Sequence, residues 1–395
     1  MRNDATVIGL ISFAHGMSHF YQLLLAPLFP FIKEELGVSY AALGFLVALF
    51  YTLSGLLQPL AGFVVDRYGA RSVLLAGVSF FVASTLVMGF SSSYAMLALG
   101  AALGGIGNSV FHPVDFAILN ARVSSARLGY AFSAHGVVGY VGYAVAPVFS
   151  VAIGAALGWQ AALLAGAVLG VGLLALLLFN SRYLEIEAQP RKKASIKTEA
   201  GVLFAAPIVL CFVYFTVFAA GLAGLQSFGV SAMVEQYRIA ATSASSALTA
   251  YLVSAALGIL AGGFVAARTT RHDYVAAAGM GVSALAILAV AVNLVPGAAL
   301  AAALAVSGFA SGVVAPSRDL IVRASTPPGA AGRVFGFVYS GLDVGAFATP
   351  VFYGWMLDHG MPHAVFYTIF AFTFAAMLTV LLVRVANPLS VQHPQ

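Results

Sequence analysis

Long apolar stretches separated by short polar punctuation organise this chain. Cutting at charges and turn residues predicts helices over residues 6–31, 41–65, 71–90, 94–118, 128–155 and 158–180. After a polar interval they resume at 203–230, 242–267, 273–293, 297–319, 332–356 and 362–385. Each is about 20 to 28 residues, the length that carries a helix across a hydrocarbon core with some tilt. The polar interval, residues 181–200, is the only long one. It divides the chain into an N-terminal six-helix half (1–180) and a C-terminal six-helix half (201–395), joined by a linker. The expected fold is an all-α membrane protein of twelve transmembrane helices.

Composition removes the main rival. The chain is 61% hydrophobic and 8% charged, with a mean hydropathy of +0.99. A soluble domain carries about 25% charged residues. The single cysteine, Cys211, allows no intramolecular disulfide. No cleavable signal is evident, because the first apolar stretch is long and lacks a small-residue cleavage site.

Charge then sets an orientation. With both termini on the cytoplasmic side, 16 of the 18 Lys and Arg fall at cytoplasmic ends, leaving only Lys33 and Arg238 outside. Basic residues accumulate on that side of multi-pass proteins. The net charge of +5 therefore reads as topology rather than as a nucleic-acid surface. The expected location is a bacterial inner (plasma) membrane.

The halves echo one another. A shift of 201 residues superposes Glu34 on Glu235, Gly62 on Gly263 and Arg67 on Arg268. A shift of 203 superposes Pro113 on Pro316, Gly129 on Gly332 and Pro147 on Pro350. Two such repeats, related by an axis along the membrane normal, place a binding site between the halves near the midplane.

Residues 62–71 read Gly-Phe-Val-Val-Asp-Arg-Tyr-Gly-Ala-Arg. This charged turn resembles the loop between the second and third helices of major facilitator superfamily transporters. Two further stretches resemble the fosmidomycin-resistance-type, drug-exporting branch. One is Ser12-Phe13-Ala14-His15 with Pro27 to Pro30 and Ser54 to Pro59. The other is Gly105-Ile106-Gly107-Asn108-Ser109-Val110-Phe111-His112-Pro113. The resemblance implies proton-coupled export (antiport) of a small organic compound by alternating access. It also implies that Gly62, Asp66, Arg67, Gly69 and Arg71 form a conformational latch, with Asp115, the acid on helix four, as partner. Ala101 stands where many such exporters carry an arginine. This favours a second reading, proton-coupled uptake (symport) of a small organic anion.

Ionisable groups within a span cost about 2.5 to 3.5 kcal/mol at a helix centre on insertion scales, so each is a functional candidate. Asp343 lies ~16 Å along helix eleven at 1.5 Å per residue. A carboxyl group at that depth can take and release a proton; the bland alternative is a buried acid hydrogen-bonded across helices. His15 and His19 share one face of helix one at i, i+4 spacing, and Gln22 extends it. Histidine serves proton transfer, substrate contact or packing. The spacing also fits a metal site, but no acid or cysteine adjacent in sequence completes one, and no metal is expected. His112 and His135 lie in the inner halves of helices four and five. Tyr51, Asn108, Tyr140, Tyr251 and Tyr339 lie at mid-helix depths and can line a cavity, although any one of them can simply pack.

No Gly-x-x-x-x-Gly-Lys-Ser/Thr, His-Glu-x-x-His or Gly-x-Ser-x-Gly motif occurs. Direct ATP drive and an enzyme are not expected. The expected partners are a small-molecule substrate, protons and lipid, with no cofactor, no nucleic acid and a monomeric state.

Overall fold

The computed structural model describes residues 2–186, 203–327 and 331–386. Among these the regular structure is helical. The helices group into two compact units, Met1–Lys192 and Lys193–Gln395. Most of the expected linker lies outside the described residues.

Unit 1 contains α1 (Arg2–Leu24), α2 (Phe29–Leu36), α3 (Tyr40–Tyr68), α4 (Ala70–Gly89), α5 (Tyr94–Asn108), α6 (Phe111–Arg122), α7 (Leu128–Leu157) and α8 (Trp159–Phe179). Unit 2 contains α9 (Ala206–Tyr237), α10 (Ala241–Ala266), α11 (His272–Ala291), α12 (Leu300–Ala324), α13 (Ala331–Ala348), α14 (Pro350–Asp358) and α15 (Pro362–Ala386). Among the described residues, eleven helical stretches are long and apolar enough to cross a membrane. The twelfth expected span, α1, is not among them, since it carries Arg2, Asp4, His15, His19 and Gln22. Large apolar side chains such as Leu56, Phe63, Val168, Phe179 and Leu285 stand exposed on the outside of the units. Exposed apolar area on this scale marks a surface meant for lipid.

The same helix pairings recur in each unit. In unit 1, α1 packs on α7, α3 on α5, and α4 on both α5 and α8. In unit 2, α9 packs on α13, α10 on α12, and α11 on both α12 and α15. Counted as spans, these are the first with the fifth, second with fourth, third with fourth, and third with sixth. The α10–α12 contact is close because Gly258 and Gly262 face the backbone of α12, while Gly308 and Gly312 face the backbone of α10. Small residues let two backbones approach and pack without a hydrophobic driving force.

Prolines break the ladder in two places. Pro113 has no N–H to offer the Ser109 carbonyl, and span four is accordingly split into α5 and α6 at Ser109–Val110. Pro350 opens α14 after α13 ends at Ala348. Their repeat partners behave differently: Pro316 and Pro147 sit inside the unbroken α12 and α7.

Turns are capped by ordinary means. Ser39 and Ser93 accept from the N–H groups of Ala42 and Met96, satisfying orphan donors at helix starts. Gly69 adopts φ +80° between α3 and α4, a conformation costly to any residue with a Cβ. Glu35, next to the end of α2, accepts from Trp159 Nε1 at 2.9 Å and from Gln160 Nε2 at 2.6 Å, both at the start of α8. At the opposite end, Asp4 accepts from the Ser124 hydroxyl at 2.7 Å. That bond holds its carboxyl below the usual range.

Candidate functional site

Three helices of unit 1 deliver four of the eight histidines to one place. α1 supplies His15 and His19, α6 supplies His112 together with Asp115, and α7 supplies His135. Spacings of four on α1 and three on α6 put each pair on one helix face. The His15 ring stacks on His135 with centroids 3.5 Å apart, and lies 4.3 Å from His19 and 5.2 Å from His112. Asp115 Oδ2 is 3.0 Å from His135 Nε2 and 3.2 Å from His15 Nδ1. Asp115 is fully buried. Its Oδ1 has no hydrogen-bond partner, and His15 Nδ1, though close to the carboxylate, lies off hydrogen-bonding direction.

The rings fit because α7 is bare at this level. A Cβ on Gly139 would lie 2.9 Å from His19 Nδ1 and 3.0 Å from His15 Cδ2 and Nε2. Three residues on, a Cβ on Gly142 would run into the backbone of Gly16. Glycine at both positions brings α7 against the histidine face of α1.

A second polar layer adjoins the first along α1. Gln22 donates to Asn108 Oδ1 at 3.0 Å. Its Oε1 accepts from Tyr143 at 2.6 Å and from Tyr51 at 3.4 Å. Asn108 donates on to Ser54 Oγ at 2.7 Å. The His19 ring stacks on Tyr143 at 4.2 Å, joining the two layers. Tyr140 meets Tyr143 edge-on at 6.5 Å. Gln22, Tyr51 and Asn108 are thus brought together from α1, α3 and α5. Ser54 and Tyr143 complete the layer and were not among the residues the sequence singles out as candidates. Tyr143 was findable: it lies eight residues after His135 and four after Gly139, on the same face of α7.

The latch residues are placed differently from one another. Arg67 is exposed on α3, with its guanidinium over Tyr68. Arg71 pairs with Glu185, just beyond α8. Asp115 does not join them; it is enclosed by the histidines, because the face of α6 that carries it packs toward α1 and α7. The side chain of Asp66 lies outside the described residues.

In unit 2, Tyr251 is buried on α10 beside a small pocket lined also by Ser283, Ser307, Ser311 and Thr373. Tyr339 donates to Asp319 Oδ1 at 2.9 Å, and Arg318 Nε reaches the same oxygen at 3.0 Å. Arg318 also lies over the Phe215 ring at 4.5 Å. Asp343 is half-buried on α13.

Two helical units with matching pairings, lipid-facing exteriors and buried polar layers define a multi-pass membrane carrier. The family profile of the Major Facilitator Superfamily matches residues 9–231 and 217–395, and the chain belongs to that superfamily. It is similar to the fosmidomycin resistance protein of Escherichia coli (strain K12), at 26% identity over 73% of this chain and 71% of that protein. A shorter likeness, 34% over 23% of each chain, is to multidrug resistance protein 1 of Bacillus subtilis (strain 168). The crystal structure of a bacterial homolog of the human lysosomal transporter Spinster, inward-facing and occupied, superposes with a TM-score of 0.76. It shares 16% identity and covers 98% of this chain and 97% of that one. At that identity the likeness concerns fold alone. The chain is a secondary transporter of a small molecule, not an enzyme.

Proposed function

We propose that the chain exports a small organic compound in exchange for protons, by alternating access in a bacterial inner membrane. It works as a monomer with both termini cytoplasmic, and nucleic acid plays no part. The observation that carries the substrate side is the Gln22–Asn108–Tyr51–Tyr143 layer. Its donors and acceptors converge from four helices, and a polar group within a span is costly unless it serves a purpose. A substrate with hydroxyl, carbonyl or amide groups would exchange hydrogen bonds with Gln22 and Asn108. It would lie against the aromatic faces of Tyr51, Tyr140 and Tyr143; within unit 2, Tyr251 is the proposed cavity-lining tyrosine. Asp343 is the coupling carboxyl, an ionisable group within helix eleven. Asp66, Arg67 and Arg71, with Gly62 and Gly69, stabilise one conformation of the cycle. The direction follows the likeness to the fosmidomycin resistance protein.

Ala101 favours one rival, proton-coupled uptake of an organic anion, since the arginine common in exporters is missing there. Flux into oriented proteoliposomes separates the two. Export predicts accumulation only when the proton gradient runs opposite to substrate movement. Accumulation in the same direction as proton movement would establish uptake, and flux indifferent to the gradient would remove proton coupling altogether.

A further inference from the structure

Three buried atoms in the histidine cluster, His19 Nδ1 among them, are unexplained by hydrogen bonding. Asp115 Oδ1 has no partner and His15 Nδ1 has none in hydrogen-bonding direction, although Asp115 is completely enclosed. Leaving such groups unpaired in a protein interior is costly. A network built only to cross-link helices would satisfy them. A cation would satisfy Asp115 Oδ1 and His15 Nδ1, because each atom can offer it a lone pair.

The donor set suits one class of cation. Ligand nitrogens of His15, His112 and His135 all lie within 4.8 Å of one another. Asp115 Oδ2 sits 3.0 and 3.2 Å from two of these rings. Bonds of about 2.0 to 2.1 Å in a tetrahedral zinc site put neighbouring ligand atoms about 3.3 Å apart. The Asp115 contacts are close to that edge already. Three imidazoles and one carboxylate are the ligands of zinc-like transition metals, whereas magnesium and calcium take oxygen. The stacked His15 and His135 rings hold their nitrogens in nearly parallel planes. Holding one ion between them requires one of the two rings to turn out of the stack, since an imidazole lone pair lies in its own ring plane. His112 is the least buried of the three histidines, and the Phe116 ring, 6.0 Å from His112 and 5.4 Å from His135, walls it with apolar surface. Such a wall limits water access to a metal.

We infer that His15, His112 and His135, with the Asp115 carboxylate against two of the rings, bind one divalent transition-metal ion of the Zn²⁺ class within unit 1, joining α1, α6 and α7. The ion occupies a site separate from the Gln22 layer, so this inference stands or falls independently of the transport reading.

The test uses untagged full-length protein in detergent, loaded with Zn²⁺ and desalted, with retained metal measured by elemental analysis. About one Zn²⁺ per chain is expected. Co²⁺ in its place should give the intense ligand-field absorption of a four-coordinate site. Thermal unfolding should move upward with Zn²⁺, since a ligand of the folded state stabilises it. His135→Gln and His112→Gln should each lower retention at least tenfold, while His359→Gln with His363→Gln, both in unit 2, should leave it unchanged. Unfolding curves without metal identify any variant that fails to fold. His112, the least buried of the three histidines, makes His112→Gln the variant best able to keep the fold. Absence of retained Zn²⁺ in the wild type, or equal retention in a folded His112→Gln variant, overturns the site.

Discussion

A single methyl group at position 139 should disturb both polar layers. The Cβ it adds would meet His15 and His19 rings at 2.9 to 3.0 Å, tighter than ordinary van der Waals contact. The rings would have to turn, and His19 would leave its stack on Tyr143. Gly139→Ala is therefore expected to cut transport about tenfold or more while the protein still folds, about 1.4 kcal/mol in barrier terms. Initial flux in proteoliposomes, set beside a thermal unfolding curve, checks this. Gln22→Leu tests the neighbouring layer. It removes one hydrogen-bond partner from the Tyr143 hydroxyl and leaves the buried Asn108 carbonyl unpaired by Gln22, at a cost of about 1 to 3 kcal/mol for a buried group left unpaired. Substrate affinity should fall by at least tenfold, read by ligand-induced thermal shift. Unchanged affinity in that variant would remove Gln22 from the binding site.

The residue scale also shows what a linear reading sees. His15, His19 and Gln22 are recognisable because helical spacing relates them within one element. Asp115 is harder. Its spacing from His112 is equally visible, but its partners lie on α1 and α7, and which helices meet is a property of packing. Its acidity at one end of a span suggested a mate for the loop arginines. Burial against His135 and His15 instead follows from the α1–α6 and α6–α7 contacts.

At the scale of elements, hydrophobic run length locates helices well, because the bilayer fixes how long an apolar segment must be. The ends of α3, α4, α8 and α15 fall within a few residues of the expected positions. Interruptions are less legible. Pro113 and Pro350 break their spans, whereas Pro147 and Pro316 do not, so a proline in the sequence does not by itself locate a break. The α10–α12 contact offers a direct test of element packing. Gly312→Leu places a branched side chain against the Ala255 backbone. Overpacking of this kind costs about 1 to 3 kcal/mol, so apparent melting temperature should drop measurably, while a change to leucine at the open Gly336 should not. The loop between α3 and α4 is a second case. Arg71 and Glu185 are both substantially exposed, and an exposed pair contributes about 0 to 1 kcal/mol. Arg71→Ala and Glu185→Gln are thus expected to leave stability almost unchanged. If the loop biases one conformation, they slow transport and preserve substrate binding. Lost affinity with normal cycling would contradict that role.

For the whole molecule, the question is how a proton gradient could drive substrate movement. A carrier that couples the two needs a group whose protonation differs between its states. Asp343 is the proposed group, half-buried on α13 and five residues before that helix ends at Ala348. Asparagine keeps the size and shape of the side chain and removes its titration. Asp343→Asn should therefore still exchange substrate down a substrate gradient at a rate near that of the wild type, while losing accumulation driven by a pH gradient. Both modes are measured on the same proteoliposomes, with the pH jump imposed or omitted. A variant that loses both modes but folds would place Asp343 in substrate binding rather than coupling. A variant that accumulates substrate against its gradient at the wild-type rate would exclude Asp343 from coupling and turn attention to the histidines of α1.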